Sequence, residues 1–273
     1  MNPFPSVCRT ARLTPEQQQA ILLLTDYCRE HDSISLTYPL TEEEAVFSHY
    51  LLTDSRGQLL SALALLFLDD SALECIAFTD PRHRRKGCFS RLLSLALEDC
   101  KEQDLLFPVS ESCTDTLAVI DALGAELFRQ ELQMERGLSL PLSSPCLSAG
   151  HEAGDLLTPN DIFSENALWR LAIPGPCHTC PISLDIVGSC RTTPVSRDIL
   201  CLHEVEILPP MRGQGLGTIL ICRLLSFLQE ENRQRRDPMR NILLHVSADN
   251  QAAVALYKKT GFRITETLSY YWY

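Results

Sequence analysis

From residue 207 to 217 the chain reads Ile-Leu-Pro-Pro-Met-Arg-Gly-Gln-Gly-Leu-Gly, with Gly213, Gly215 and Gly217 at alternate positions between two apolar stretches. Before it, Ile199 to Leu208 is rich in β-branched and large apolar residues and partly alternates, which predicts a strand buried on at least one face. After it, Ile221, Leu224, Leu225 and Leu228 fall on one stripe at helical spacing, so a helix should open directly after Gly217. The first N–H groups of such a helix lack internal partners, and its aligned dipoles favour negative charge there. Glycines without Cβ atoms let phosphate oxygens approach. The turn therefore suits the diphosphate of a cofactor; a tight strand–helix turn with glycines for geometry alone is the competing reading. A dinucleotide fingerprint would stand at the first strand–helix unit of its domain with an acidic residue after the next strand, and a nucleotide P-loop needs a Lys-Ser/Thr that is missing here.

The following segment narrows the choice. Asn241 to Ser247 reads as a second strand, Asp249 or Asn250 as a cap, Gln251 to Lys259 as a helix stopped at Gly261, and Phe262 to Tyr273 as a closing antiparallel hairpin. On these residues the chain resembles the GNAT superfamily of acyl-CoA-dependent N-acetyltransferases. The family pattern Arg/Gln-x-x-Gly-x-Gly/Ala matches Arg212, Gly215 and Gly217, and a second signature matches Asn250, Ala253, Tyr257, Gly261 and Phe262 in order.

The resemblance implies a fold, a donor and a set of roles. The backbone amides of Arg212, Gly213, Gln214, Gly215, Leu216, Gly217 and Thr218 would bind the diphosphate of acetyl-CoA. Its pantetheine arm would lie along the strand end at Ile207 and Leu208, where two parallel strands splay, with Asn250 lining the cleft. Tyr257 would protonate the departing thiolate, a role for a donor present at neutral pH; the alternative is an aromatic packed on the sheet. Transfer would go directly to an amine, because no cysteine stands at the reacting centre and Cys222 sits in the helix away from it.

An acceptor amine must lose a proton. Glu204 and Glu206 share parity on the strand before the turn, and a carboxylate in an apolar cleft can serve as base. Glu206 is nearer the splay and Glu204 is its substitute; solvated or salt-bridged carboxylates are the competing reading. His203 and His245 read as satisfied histidines. A strand N–H near Ile207 or Leu208 would receive the developing oxyanion.

A worn copy of the same pattern lies upstream. Thr79 to Phe89 matches Ile207 to Gly217 position by position, flanked by a strand pattern at Leu73 to Phe78 and a helix pattern at Ser90 to Leu97. Asp104 to Ser110 then answers the strand ending at Ser247, and Thr114 to Leu123 with Gly124 answers the later helix and Gly261. Two copies of one domain follow. Phe89 replaces Gly217, Cys113 replaces Asn250, Ile120 replaces Tyr257, and Ile76 and Phe78 replace Glu204 and Glu206. The expected organisation is an α/β fold with mixed sheets in two tandem GNAT-like domains. Residues 1–140 form a degenerate domain that is structural or shapes the acceptor site; residues 141–273 form the catalytic domain. The first should begin with a helix from Thr14 to His31 capped by Thr14, then a helix near Thr41 to Leu51, a hairpin turning at Asp54 to Gly57 into Leu59 to Leu68, and last strands at Ala125 to Leu132 and Met134 to Leu140. In the second, strands are expected at Leu168 to Ile173 and Ile182 to Val187. Little room precedes them for the two helices that open such domains, so the first domain is expected to wall part of the acceptor cleft.

Composition sets the outer bounds. The 273 residues are 45% hydrophobic and 22% charged, which suits two packed domains. A net charge of −11 argues against a nucleic-acid footprint and fits a small-molecule or peptide amine as partner. No apolar run reaches the ~20 residues a bilayer requires. The 12 cysteines, without a secretory leader pattern, fit a reducing cytoplasm. Cys177, His178 and Cys180 lack a second close pair, so no metal site is expected. The sequence leaves the oligomeric state open. The rival functions are a noncatalytic acyl-CoA-binding regulatory or scaffold protein and an enzyme using a longer acyl group.

Overall fold

The structure is a computed structural model describing residues 5–40, 45–142, 155–157, 159, 166–174 and 184–273. It divides into two compact units, the first comprising residues 1–130 with 266–273 and the second residues 131–265. Both carry helices on mixed sheets, the α/β class expected.

In unit 1, β1 (Ser6–Thr10), β2 (Val46–Thr53), β3 (Leu59–Phe67) and β4 (Ala72–Thr79) pair antiparallel in sequence order. Alternation along β3 builds two cores. Ala62 and Ala64 face α1 (Pro15–Asp32), whereas Leu63 and Leu65 face the side of α2 (Cys88–Asp99) and α3 (Thr114–Leu123). The start of α1 is as expected: Thr14 and Gln17 form a reciprocal capping box, and Pro15 follows the cap. The turn at Asp54 to Gly57 also forms, with Gly57 at φ 82°. The helix expected near Thr41 to Leu51 is instead β2 over its described part. Leu51 and Leu52 are buried on opposite faces, which erased the alternation that marks a strand.

β4 and β5 (Asp104–Ser110) run parallel, but only Ala72, Leu73 and Glu74 pair before the strands part. Unit 2 repeats this. There β10 (Ile199–Ile207) pairs with β11 (Asn241–Ser247) only through Ile199, Leu200 and Cys201. β7 (Asp155–Leu157), β8 (Ala167–Pro174) and β9 (Leu184–Pro194) extend the sheet antiparallel. Helices α4 (Leu216–Arg233) and α5 (Gln251–Lys259) pack on one face, where Trp169, Leu171, Cys190 and Leu202 meet Leu220, Leu224 and Tyr257.

The closing strands are exchanged between the copies. β6 (Glu126–Gly137) follows α3 in the chain, yet it pairs with β11 of unit 2 through residues 131–137. β12 (Arg263–Trp272) follows α5, yet it pairs with β5 of unit 1 through Leu268 to Trp272. The two last strands expected near 125–140 are one continuous strand, and the expected C-terminal hairpin is the single strand β12. The units consequently divide at 130/131 and 265/266 rather than at 140/141.

Among the described residues no helix is long and apolar enough to cross a membrane, and no group of three His, Cys, Asp or Glu could hold a metal. Cys177, His178 and Cys180 lie outside those residues. Eight described cysteines are free, whereas Cys222 is disulfide-bonded, which departs from thiols throughout.

Candidate functional site

The glycine turn joins β10 to α4 through one short 3-10 turn, Pro209–Met211. Gly213 and Gly215 have φ of 77° and 79°, and a Cβ at either would meet nothing within 4 Å. These glycines serve a left-handed backbone that other residues adopt at a cost, and they leave open space in front of it. The first hydrogen bond of α4 is donated by Ile219 to Gly215. From Gly213 to Thr218 the N–H groups have no backbone partner among the described residues, which leaves a row of donors at the positive end of an 18-residue helix.

Two residues of the motif do something other than expected. The Arg212 N–H, expected among the diphosphate donors, is given to the Pro209 carbonyl at 3.3 Å, and its Nε donates to the Ile207 carbonyl at 2.8 Å, so this residue ties the turn back to the strand. Gly217 does not face the row of donors: a Cβ there would lie 3.2 Å from Leu256 Cδ2, so its glycine lets α5 close on α4.

Tyr257, the expected proton donor, stands on α5. Tyr257 is buried, its ring edge-on to Phe262 at 5.7 Å. Its hydroxyl makes no hydrogen bond among the described residues and is not sealed from solvent. Burial, with Cys190 nearby, pushes its pKa up to about 12, so the group stays protonated at neutral pH. Asn250 caps α5, its Oδ1 accepting from the Ala253 N–H at 3.1 Å, which commits that oxygen.

The two glutamates part company. A β-bulge falls between His203 and Glu206, with Glu204 at φ 49°. Glu204 accepts from the Arg191 Nε at 2.7 Å and lies 3.7 Å from His203 Nδ1. Glu206 has no ion-pair partner among the described residues. Both line a hollow of about 540 Å3 whose walls are mixed, with Leu168, Ile186 and Val205 beside Arg170, Ser189 and Arg191, so the surroundings are less apolar than expected for a base. Of the two candidate oxyanion donors, the Leu208 N–H is taken by the Val187 carbonyl at 2.9 Å. Successive strand N–H groups point to opposite edges, which leaves that of Ile207 directed to the splay beside β11. His203 meets the Thr193 hydroxyl at 2.9 Å and His245 meets Gln133 at 3.3 Å, both satisfied as expected.

Unit 1 keeps the same backbone. A 3-10 turn at Pro81–His83 leads into Arg85 at φ 60° and Gly87 at φ 76°, in the places of Gly213 and Gly215. The Arg84 Nε donates to the Thr79 carbonyl at 3.2 Å, the same tie that Arg212 makes. Below this turn lies a cleft of about 650 Å3, lined by Phe89, Leu93, Phe107, Val109 and Ile120 and by the polar Ser110. Sequence reasoning missed this cleft, because Phe89 reads as bulk at a phosphate, whereas that position faces the neighbouring helix.

A parted pair of parallel strands, a row of N–H groups without backbone partners among the described residues, and a second helix bringing a tyrosine define a GNAT-type fold. Residues 150–262 match the acetyltransferase (GNAT) family model. The mycothiol acetyltransferase of Rothia mucilaginosa is 38% identical over 63 residues, 23% of this chain but only 18% of that protein. That of Streptomyces coelicolor is 27% identical across 96% of this chain and 93% of its own length. A solved tandem GNAT protein from the clavulanic acid biosynthesis pathway superposes with a TM-score of 0.69 at 15% identity, covering 98% of both chains. Residues 150–262 are thus similar to the GNAT acetyltransferases, and the fold of the chain is that of a tandem GNAT protein.

Proposed function

We propose that this chain is an N-acetyltransferase whose second unit moves an acetyl group from acetyl-CoA to a primary amine. The row of unpartnered N–H groups from Gly213 to Thr218 beside the β10–β11 splay carries the reading. It supplies the donors a diphosphate needs, and the space before Gly213 and Gly215 admits one. Bound there, the thioester supplies an acyl carbon that an amine can attack. Glu206, at the bulged end of β10, takes the ammonium proton. The Ile207 N–H donates to the carbonyl oxygen as it gains charge. The N–C bond forms, the C–S bond breaks as the nitrogen gives up its second proton to solvent, and Tyr257 protonates the leaving sulfur and is itself reprotonated from solvent.

Calorimetry with acetyl-CoA, paired with thiol release on a panel of amines, tests this. Binding together with amine-dependent thiol release is expected; absence of heat with the donor overturns the assignment. A noncatalytic acyl-CoA-binding role is favoured by one observation, the ion pair that occupies Glu204, and would show heat without release. Comparing acetyl-, succinyl- and longer acyl-CoAs settles the donor's chain. Unit 1, with Ile120 in place of Tyr257, is assigned a structural role, and the proposed acceptor is a small-molecule or peptide amine.

A further inference from the structure

In unit 1, α1 covers one sheet face, with Ile76 and Phe78 of β4 buried beneath it at 8% and 4% exposure. Glu204 and Glu206 stand in their places in unit 2, where no helix among the described residues of that unit covers this face. Loss of an apolar cover alone would leave an apolar patch. Here the hollow on that face mixes Leu168, Ile186 and Val205 with the polar and charged Arg170, Ser189, Arg191, Glu204 and Glu206 on three adjacent strands.

The register orders these groups. Arg170 stands opposite Ser189 and Ser189 opposite Glu206, a single row across β8, β9 and β10. At ~4.8 Å per strand, the ends of that row are about 10 Å apart. In the next row Arg191 engages Glu204, so these two charges cancel locally. Arg170, by contrast, is exposed with no partner among the described residues, and no ion pair joins it to Glu206. One free cation and one free carboxylate thus face the same hollow, separated by a hydroxyl.

A simple alkylamine would use Glu206 and leave Arg170 idle. A guanidinium held in a shallow hollow recognises a planar carboxylate or a phosphate through paired N–H donors. We infer that the acceptor is an amine that also carries an anionic group, a carboxylate or a phosphate, with Arg170 holding the anion, Ser189 bridging and Glu206 receiving the amine. This rests on the acyl-transfer reading for the word acceptor, but the binding itself does not depend on turnover. The spacing fits an anion roughly 5–10 Å from the nitrogen, within two strand separations.

The test uses matched probes on the full chain: 4-aminobutyrate and glycylglycine against their neutral amides, and aminopropyl phosphate against aminopropanol. Binding is followed by 15N NMR without donor, and turnover by thiol release with acetyl-CoA. Each anionic probe should bind at least ~10-fold more tightly than its neutral partner, shifting amides of β8 and β9. Arg170→Ala should abolish that preference, Arg170→Lys should retain part of it, and neutral probes should respond equally to all three proteins. A stronger effect in the carboxylate or the phosphate arm identifies the anion. Equal binding within each pair, absence of binding by any probe, or a preference that survives Arg170→Ala overturns the inference. Selective binding without thiol release would sink the acyl-transfer reading while leaving this one standing.

Discussion

The two units share one device and fill it differently. In each, a parallel strand pair parts after three residue pairs, a 3-10 turn follows, two left-handed residues turn the chain, and an arginine ties the turn to the strand carbonyl. In unit 2 the left-handed positions are both glycine, and Gly217 lets Leu256 close the helix pair. In unit 1 the first is Arg85, and Phe89 lines an open cleft. The backbone of a binding turn can therefore outlast the residues that chemistry requires. The side chains brought to it differ between the copies, Tyr257 against Ile120 and Glu206 against Phe78, and the proposed chemistry rests on that difference.

The largest expected difference lies in the two arginines. Arg84 also bonds Asp32 at 2.5 Å and Asp115 at 3.2 Å, while among the described residues the Arg212 side chain bonds only the Ile207 carbonyl. Burial alone would raise the Asp32 pKa, but hydrogen bonds from Arg84 and His31 outweigh it and hold the carboxylate below its ordinary value. Arg84→Met should strand this mostly buried charge and cost about 2–3 kcal/mol, somewhat under the range for fully buried pairs. Arg212→Met should cost about 0.5–1 kcal/mol, one hydrogen bond. Hydrogen exchange of β4 and β5 amides against those of β10 and β11 reads each unit separately; equal losses would contradict the contrast.

Next comes the turn itself. At Gly215, with φ 79° and open space around it, a side chain meets no protein atom, so Gly215→Val combines backbone strain with a side chain in the space proposed for the diphosphate. Strain of about 1–2 kcal/mol that tilts the N–H row should weaken acetyl-CoA by roughly 10- to 30-fold in calorimetry. Unchanged affinity would mean that the row does not hold the diphosphate.

Tyr257→Phe should lower kcat by ~10-fold with cofactor affinity nearly intact. Burial raises this hydroxyl to a pKa of about 12, so its protonated form persists as pH rises and is lost only near that value. The kcat–pH profile should accordingly lack an alkaline decline from this group between pH 7 and about 10. A Tyr257-dependent fall inside that window would assign it another role.

Much of this was legible from residue spacing. The two glycine-turn motifs, both following helices and the Thr14 cap follow from local chemistry, and the structure keeps them. The fate of Arg212 was not legible, because an arginine at a turn can meet a phosphate or a carbonyl and its type does not distinguish them. Nor was the strand exchange, since β6 and β12 carry similar local patterns and the choice between β5 and β11 is made by tertiary packing. The bulge that separates Glu204 from Glu206 was hidden for a related reason. Strand parity assumes a regular ladder, and one residue at positive φ breaks the count without a glycine to announce it.

The smallest predicted effect tests whether unit 1 preserves its turn under strain. Arg85 holds φ 60°, a conformation unfavourable for a side chain, where the other copy has Gly213 at 77°. Its replacement by glycine relieves that strain of about 1–2 kcal/mol but adds freedom to the unfolded chain, which returns about 0.5–1 kcal/mol. Arg85→Gly should thus stabilise unit 1 by about 0–1.5 kcal/mol, read as slightly slower exchange of β4 and β5 amides. The reciprocal Gly213→Arg should destabilise unit 2 by a similar amount, because a Cβ there meets nothing within 4 Å and only the backbone term differs. Opposite signs would show that the two turns are one backbone solution, strained in one copy and relaxed in the other. Destabilisation in both would mean that Arg85 makes a favourable interaction in unit 1 that glycine cannot replace.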